Sequence, residues 1–514
     1  MRYKELLYRA FMVVVALVVA TSCLTETSMS NKEREKISLD AWIRLHKPYL
    51  AGNYQENGGY YVEVLEWGDE TASAPSDNEL GGEPLMEEDT CWVYTMMTGR
   101  NLKGTVCLTR DSNMAEMCGT FSYNTHYAPY FNYCGNSNIG LLEGTYLAMR
   151  NTLYLSPEYV DSYWSGESSS YVMRKGSKVR LYLPSSITYG ESGSAVEGGY
   201  EGQYALSASV PMIMDVEVLG AVRNPSDKEV EMVKAYTGVE SDIDTTWKQA
   251  EVTAAEKENL KDGESPFLTG LYYNLEFNPK TEDVSKYRYM QPYLAGENLP
   301  YKDTKGYADM AKVSAKINEI LLNRFGEGLP ANKRTDSTKV THEGSAKVWY
   351  VLRFLDGFVV DTNIDEIREY IYKDNTTVSE VFTYSPSSDD GKSESSKTAI
   401  GAWYYCISQM HHGAYGQIIT TSGYAYGAAG VSGTTTTESS SSSNSYYDYY
   451  NYYNYYNYYN SYYYGYNNYY NYNNYYNYYN YNTGDSETTT TTTISTEILP
   501  YTPLVFTLFV EAED

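Results

Sequence analysis

The chain has 514 residues, which is too long for one ordinary hydrophobic core and indicates at least two domains. Its 39 Lys and Arg residues and 66 Asp and Glu residues give a net charge of −27 at pH 7. Because nucleic acid and anionic lipid both require basic patches, this balance argues against either as an electrostatic partner.

The first 23 residues have the pattern of a targeting segment. Arg2 and Lys4 precede an apolar run from Phe11 to Ala20 that is too short to span a bilayer, and a small-residue site ends in Cys23. This order resembles a bacterial lipoprotein signal peptide over residues 1–23, with Cys23 as the lipidated residue. The alternative is an ordinary signal peptide with a chance cysteine. The lipoprotein interpretation predicts an extracytoplasmic protein that is lipid-anchored to a bacterial membrane, on the periplasmic or surface face of the outer membrane.

The remaining cysteines and the histidines predict no metal site, and no cofactor is expected. Four cysteines fall between positions 91 and 134, so one or two disulfides are allowed in an oxidising compartment, but an odd total forbids complete pairing. The pair His411–His412 lacks a third ligand at a suitable spacing. The five cysteines are Cys91, Cys107, Cys118, Cys134 and Cys406.

Four pairs of similar segments recur in the same order, which predicts a tandem duplication with copies of domain size. The pairs are Gly59–Trp67 with Gly270–Phe277, Val93–Val106 with Val348–Val359, Met173–Gly190 with Met410–Gly427, and Pro211–Val218 with Pro503–Val510. We call residues 58–222 the first copy and residues 266–512 the second copy.

The segments around the two copies are predicted as follows. Residues 24–57 form a linker and a short helix that carries Ile37, Trp42, Ile43 and Leu45 and stops before Pro48. Residues 223–265 are charged, contain a helical pattern and form a second linker or a small helical element. The second copy has a helical insertion at 280–340, with an amphipathic helix near Tyr307–Phe325 that is typical of core packing. It also has a low-complexity loop at 434–493. Strands rich in Val, Tyr, Thr and Ile with few helices predict an α+β fold.

The second copy carries a motif that the low-complexity loop interrupts. Gly401–Met410 places a Trp seven residues before the Met of a Met-x-x-Gly turn, and residues 424–427 read Tyr-Ala-Tyr-Gly. After the loop, Ile498–Val510 begins Ile-Leu-Pro and contains Leu-Val-Phe. With the loop removed, the pattern resembles FKBP-type peptidyl-prolyl cis-trans isomerases. The resemblance implies two FKBP-like domains with long insertions, each an antiparallel sheet wrapped on a short helix, and a chemistry that needs no metal or cofactor.

The resemblance also implies the site. The residues assigned to catalysis are Tyr350, Asp361, Trp403, Tyr426 and Phe506, and those assigned to substrate binding are Val360, Ile400 and Ile498. Trp403 is the floor of a proline pocket, Tyr426 binds the substrate carbonyl through its hydroxyl, and Ile400 donates its backbone amide. Val360 departs from the family, which usually has Phe there.

The first copy keeps the scaffold but not the site. Met97, Cys107, Leu108 and Met214 stand where the second copy or the family has pocket residues. The helix start at 140–145 lacks a Trp, and Trp164 is misplaced by two residues, whereas Tyr189 remains. We expect this copy to be inactive or nearly so.

Residues 445–482 are almost wholly Tyr and Asn, a composition that predicts no conventional core and a tendency to self-associate. The run lies in the loop that borders the pocket in the family, where it could cover the site, recruit clients through stacking, or bind sugars or similar tracts. The alternative is a repeat expansion in a tolerant surface loop. The predicted function is a prolyl isomerase that assists the folding of exported proteins, with its activity in the second copy. The alternatives are a non-catalytic chaperone or binding module on the same fold and a surface adhesive protein that acts through the Tyr/Asn loop. The predicted partners are proline-containing exported polypeptides and, through the anchor, a membrane.

Overall fold

The computed structural model describes residues 29–118, 125–138, 140–165, 167–190, 193, 206–239, 246–287, 310–372, 380–393, 396–431, 435–436, 493–494 and 496–513. The predicted signal peptide with Cys23 and the Tyr/Asn run at 445–482 lie outside these residues. No helix in the described ranges is long and apolar enough to cross a membrane. The five cysteines after Cys23 carry free thiols.

The fold is α+β and contains two seven-stranded antiparallel sheets. In the first sheet the strand order is β1-β2-β8-β9-β3-β4, and β5 pairs with β3. Its strands are β1 Tyr54–Gln55, β2 Tyr60–Trp67, β3 Trp92–Asn101, β4 Val106–Thr109, β5 Tyr130–Tyr133, β8 Ser177–Leu183 and β9 Met212–Val222. A separate two-stranded sheet joins β6 Leu153–Tyr154 to β7 Ser170–Tyr171.

The second sheet follows the same path as the first. Its order is β10-β11-β15-β18-β12-β13, and β14 pairs with β12 as β5 does with β3. Its strands are β10 Trp247–Glu251, β11 Phe267–Asn274, β12 Ala346–Phe354, β13 Val359–Thr362, β14 Phe382–Tyr384, β15 Tyr415–Thr420 and β18 Leu504–Val510. Another two-stranded sheet joins β16 Thr435–Thr436 to β17 Thr493–Ile494.

The α-helices lie before and between the strands. They are α1 Asn31–His46, α2 Ser112–Met117, α3 Glu143–Arg150, α4 Pro157–Tyr163, α5 Pro225–Thr237, α6 Ala254–Lys257, α7 Met310–Phe325, α8 Asp365–Tyr372 and α9 Gly401–Cys406. The predicted insertion helix corresponds to α7, which buries Met310, Ile317 and Leu321 and ends at Phe325, before Gly326 with a φ of +71°.

Helix α1 buries a different face from the one that its apolar residues suggested. Leu39 and Ile43 are buried together with Glu35 because residues four apart share one face of a helix, whereas Ile37 and Leu45 are exposed. Trp42 packs at the edge of the first core.

Glu35 and Glu229 play the same part for the two sheets. Glu35 of α1 accepts hydrogen bonds from the backbone N–H and the hydroxyl of Ser185. Glu229 of α5 accepts the same pair of bonds from Ser422, at 2.7 Å and 2.6 Å. Both carboxylates are buried, and both serines begin a short 3₁₀ turn after a core strand. Each sheet is therefore preceded in the chain by a helix that is tied to it through a buried Glu.

The range 223–265, predicted as a linker, contributes to the second sheet. Strand β10 pairs with β11 along the edge of this sheet. Helix α5 buries Met232 and Val233 in a cluster with Ile419 and Val505, on the sheet face opposite to α9. The charged sequence of this range predicted a linker or a small helical element, and α5 is a helix whose apolar residues on one side dock it on the sheet.

Candidate functional site

Trp403 lies at the centre of an aromatic cluster on the inner face of the second sheet. Its helix, α9, begins after Ile400, whose extended conformation ends the preceding loop and whose carbonyl accepts the Trp403 N–H at 2.9 Å. The indole is 3 % exposed. Four rings meet it edge-on, with centroid distances of 5.8 Å for Tyr350, 5.3 Å for Phe382, 6.3 Å for Tyr384 and 5.8 Å for Phe506. Such edge-to-face contacts are the preferred geometry of aromatic pairs.

Strand register brings these rings to one face. Phe506 pairs with Leu352 across β18 and β12, and Tyr350 lies two residues before Leu352. Because side chains alternate between the faces of a strand, Tyr350 and Phe506 point to the same side. The alternate residues Trp349 and Val351 belong to the cluster on the opposite face, which α7 and α8 cover.

Tyr350 and Asp361 form a polar pair beside the rings. The Tyr350 hydroxyl donates to Asp361 Oδ2 at 2.7 Å, and Arg368 Nη1 of α8 lies 3.6 Å from the other carboxylate oxygen. Burial raises the pKa of the Asp361 carboxyl above its ordinary value, against the opposing effects of Arg368 and the Tyr350 hydroxyl. The pair gives an otherwise apolar site one oriented carboxyl group.

The tight turn between β12 and β13 fixes the positions of Val360 and Asp361, which follow it on β13. Gly357 has a φ of +92°, and a Cβ at this position would lie 2.9 Å from the Tyr287 ring, so a side chain is excluded. The Asp356 carboxylate accepts the Phe358 N–H at 3.0 Å and closes the turn. Val360 is 2 % exposed and lies in the same buried cluster as Trp403.

Ile400 and Tyr426 lie at the edge of the cluster, and both are half-buried. Within the described residues the Ile400 N–H has no hydrogen-bond partner, and neither does the indole Nε1 of Trp403. The segment that leads to Ile400 is fixed by the fully buried carboxylate of Asp389, which accepts the backbone N–H groups of Thr398 at 2.7 Å and Ala399 at 3.3 Å.

Ile498 joins the site to the low-complexity loop. It is 5 % exposed and belongs to the buried cluster of Trp403. Its N–H donates to the Val431 carbonyl at 2.8 Å, and its own carbonyl accepts the Val431 N–H at 2.6 Å. Together with the pairing of β16 and β17, this bridge brings the two ends of the loop together next to a predicted pocket residue.

The corresponding region of the first copy lacks this arrangement. Met97, Cys107 and Met214 are buried in its core, and Leu108 is half-buried. Thr145 of α3 stands where Trp403 stands in α9 and is 1 % exposed. The Trp164 ring lies 5.7 Å from that of Trp67.

Sequence reasoning missed Phe382, Tyr384, Arg368 and Asp389. Phe382 and Tyr384 lie two residues apart on the short strand β14, so their side chains share one face. The Phe-Thr-Tyr run before Ser-Pro is a strand signal in the sequence. Arg368 and Asp389 act through contacts that no local pattern encodes. In the described ranges no group of three or more His, Cys, Asp or Glu side chains could hold a metal ion.

No protein-family model matches this chain, and no curated protein matches it either. Among solved structures, the three FKBP domains of wheat FKBP73 are 11% identical over 89% of this chain and 95% of that chain, with a TM-score of 0.19. FkpA from Escherichia coli is 16% identical over 43% of this chain and 71% of that chain, with a TM-score of 0.22. A peptidyl-prolyl cis-trans isomerase from Pseudomonas syringae is 16% identical over 36% of this chain and 95% of that chain, with a TM-score of 0.19. Likenesses this weak assign neither a family nor an activity to the chain.

Proposed function

We propose that this protein is an FKBP-like peptidyl-prolyl cis-trans isomerase with two such domains in tandem and with its activity in the second copy. The observation that carries the proposal is the buried Trp403 indole with four aromatic rings edge-on around it and the Tyr350–Asp361 pair beside it. The shared strand order of the two sheets supports the tandem arrangement.

The chemistry asked of such a site is the rotation of an X-Pro amide. The barrier is about 18–20 kcal/mol because the planar amide is conjugated. A site that binds the twisted amide better than either planar form lowers this barrier. An aromatic pocket seats the proline ring and removes water that would stabilise the polar planar amide. In this proposal Trp403 is the floor, and the Ile400 N–H and the Tyr426 hydroxyl bind substrate carbonyls.

The test is the rate of cis-trans isomerisation of short X-Pro peptides with the chain from Leu24 to Asp514. Trp403→Ala and Tyr426→Phe are each expected to lower the acceleration at least about tenfold, since each removes an interaction with the reacting amide. The first copy offers matched controls, Trp164→Ala and Tyr189→Phe, which leave the rate unchanged. A folded wild-type chain without acceleration, or equal losses in the controls, contradicts the proposal.

Val360 favours a second candidate, a non-catalytic binding module on the same fold. Its aliphatic side chain is buried where the FKBP resemblance implies an aromatic wall. A module of this kind binds proline peptides, changes the fluorescence of Trp403 on binding, and leaves the isomerisation rate unchanged.

Removing residues 437–492 and rejoining the chain between β16 and β17 tests the adhesive alternative. That alternative requires surface binding to disappear while peptide binding persists.

The place of action is also proposed from the sequence. We infer that residues 1–23 direct export and that Cys23 carries a lipid anchor, so that the substrates are exported polypeptides. Mass spectrometry of the N-terminus after expression in a bacterium distinguishes an acylated Cys23 from an ordinary cleaved signal peptide.

A further inference from the structure

The first copy contacts the second at two places on the border of the candidate site. Arg110, which follows β4, forms an ion pair with Glu497 at 2.6 Å, and the Trp92 ring meets the Tyr501 ring edge-on at 4.8 Å. These two contacts flank Ile498. We call residues 497–501 the rim segment.

The second place at which the two copies touch is the β12–β13 turn. His126 is 8 % exposed, and its Nε2 lies 2.7 Å from Asp356 Oδ2. Its ring also packs against those of Phe354 and Phe358, at centroid distances of 4.5 Å and 4.8 Å. This turn fixes the positions of Val360 and Asp361 on β13.

These contacts are built into the buried interior. Ala115 and Tyr127 of the first copy are 1 % and 5 % exposed and belong to the same apolar cluster as Trp403. The Arg110 guanidinium is also held from its own side, because it stacks over the Tyr130 ring at 4.7 Å. A group fixed in this way on one copy can restrain the segment that it binds on the other.

We infer that the first copy positions the binding site of the second, with Arg110, Trp92 and His126 as positioning residues that hold the rim segment and the β12–β13 turn. This inference rests on the proposed function. The positioning role explains why a copy without the Trp floor is present. The contacts of the first copy fall on the rim segment, which contains Ile498, and on the β12–β13 turn, which precedes Val360 and Asp361.

The structural test is hydrogen exchange at the Ile498 amide, which donates to Val431 and needs no catalysis to report. In the full chain, Arg110→Glu and Glu497→Arg are each expected to speed this exchange about tenfold, and the double exchange Arg110→Glu/Glu497→Arg restores it. Arg100→Ala breaks an ion pair with Asp215 inside the first copy and is the matched control with unchanged exchange.

The functional test is a split between kinetic constants. The single variants are expected to raise KM for X-Pro peptides about fivefold with little change in kcat, and the double variant recovers it. Equal exchange at Ile498 in the wild type, the two single variants and the double variant overturns the inference, whether or not the chain is an isomerase. A wild-type chain without isomerase activity but with faster exchange in the single variants contradicts the proposed function alone and supports the positioning role.

Discussion

Glu229 is expected to make the docking of α5 on the second sheet dependent on pH. Its carboxyl group is 1 % exposed, and burial raises its pKa to about 7, against hydrogen bonds from Ser422 that act in the opposite direction. The ordinary value is 4.5, so the gap corresponds to about 3 kcal/mol at about 1.4 kcal/mol for each pH unit.

The sign of the effect follows from where the proton is held. Below pH 4.5 the carboxyl group is protonated whether α5 is docked or open, and the full docking stability is present. Between pH 4.5 and 7 the open form ionises while the docked form keeps its proton, so stability falls as the pH rises. Above about pH 8 both forms are ionised and the loss of about 3 kcal/mol is complete.

The substitution Glu229→Gln is expected to abolish this dependence. Its amide can still accept the Ser422 N–H and can donate to the Ser422 hydroxyl, with nearly unchanged shape. We expect the free energy of opening of α5 to be flat from pH 5 to 8.5 and to exceed that of the wild type by about 3 kcal/mol at the upper end.

The assay is amide exchange of Met232 and Val233 at a series of pH values, corrected for the intrinsic rate. Glu231→Gln is the control, because this carboxyl group lies on the same helix with a side chain that is 44% exposed. A wild-type opening free energy that stays constant from pH 5 to 8.5 refutes the reasoning. An equal effect of the two substitutions refutes it as well.

Three further changes test the site. Trp403→Leu is expected to destabilise the second sheet by about 3 kcal/mol through the lost ring contacts, measured by urea unfolding. Tyr350→Phe removes the hydrogen bond to Asp361, and the pKa of that carboxyl group is expected to rise further, measured by NMR titration. Asp389→Asn is expected to cost about 1–3 kcal/mol at neutral pH, since one amide oxygen replaces a carboxylate with several donors. Hydrogen bonds outweigh burial and hold the pKa of Asp389 below its ordinary value. The wild type therefore loses this stability as the pH falls through that lowered pKa, whereas the Asp389→Asn variant does not; acid unfolding followed by circular dichroism measures the difference.

The sequence predicts the parts of the molecule that local rules determine. The FKBP resemblance places Tyr350 and Phe506 in one site, and strand alternation with the observed register of β12 and β18 puts both side chains on one face. Gly357 has a positive φ, which a glycine adopts without strain. The apolar stripe of α7 predicted the burial of Met310, Ile317 and Leu321, whereas Val313 and Ile320 of the same stripe are half-buried. Ser314 and Asn318, which the stripe does not include, are buried as well.

The rest depends on contacts between distant parts of the chain. Arg110 and Glu497 are 387 positions apart, and nothing in either local pattern pairs them. Glu229 looks like a surface charge in the sequence, yet it is buried because Ser422 satisfies both of its oxygens. The charged range around α5 predicted a linker or a small helical element, but the docking of this helix depends on contacts with the distant residues Ile419 and Val505.

The low-complexity loop and the first copy act on the same short piece of chain. The loop enters and leaves the fold between Val431 and Ile498, and the first copy holds the residues on either side of Ile498 through Glu497 and Tyr501. Lengthening a loop roughly tenfold costs about 2 kcal/mol in closure entropy, and this cost disfavours the pairing of the two chain ends that the loop connects. A part-buried ion pair and an edge-on ring contact supply stabilisation of about this size. On the positioning role inferred above, the contacts of the first copy are expected to offset a closure cost of this size next to Ile498.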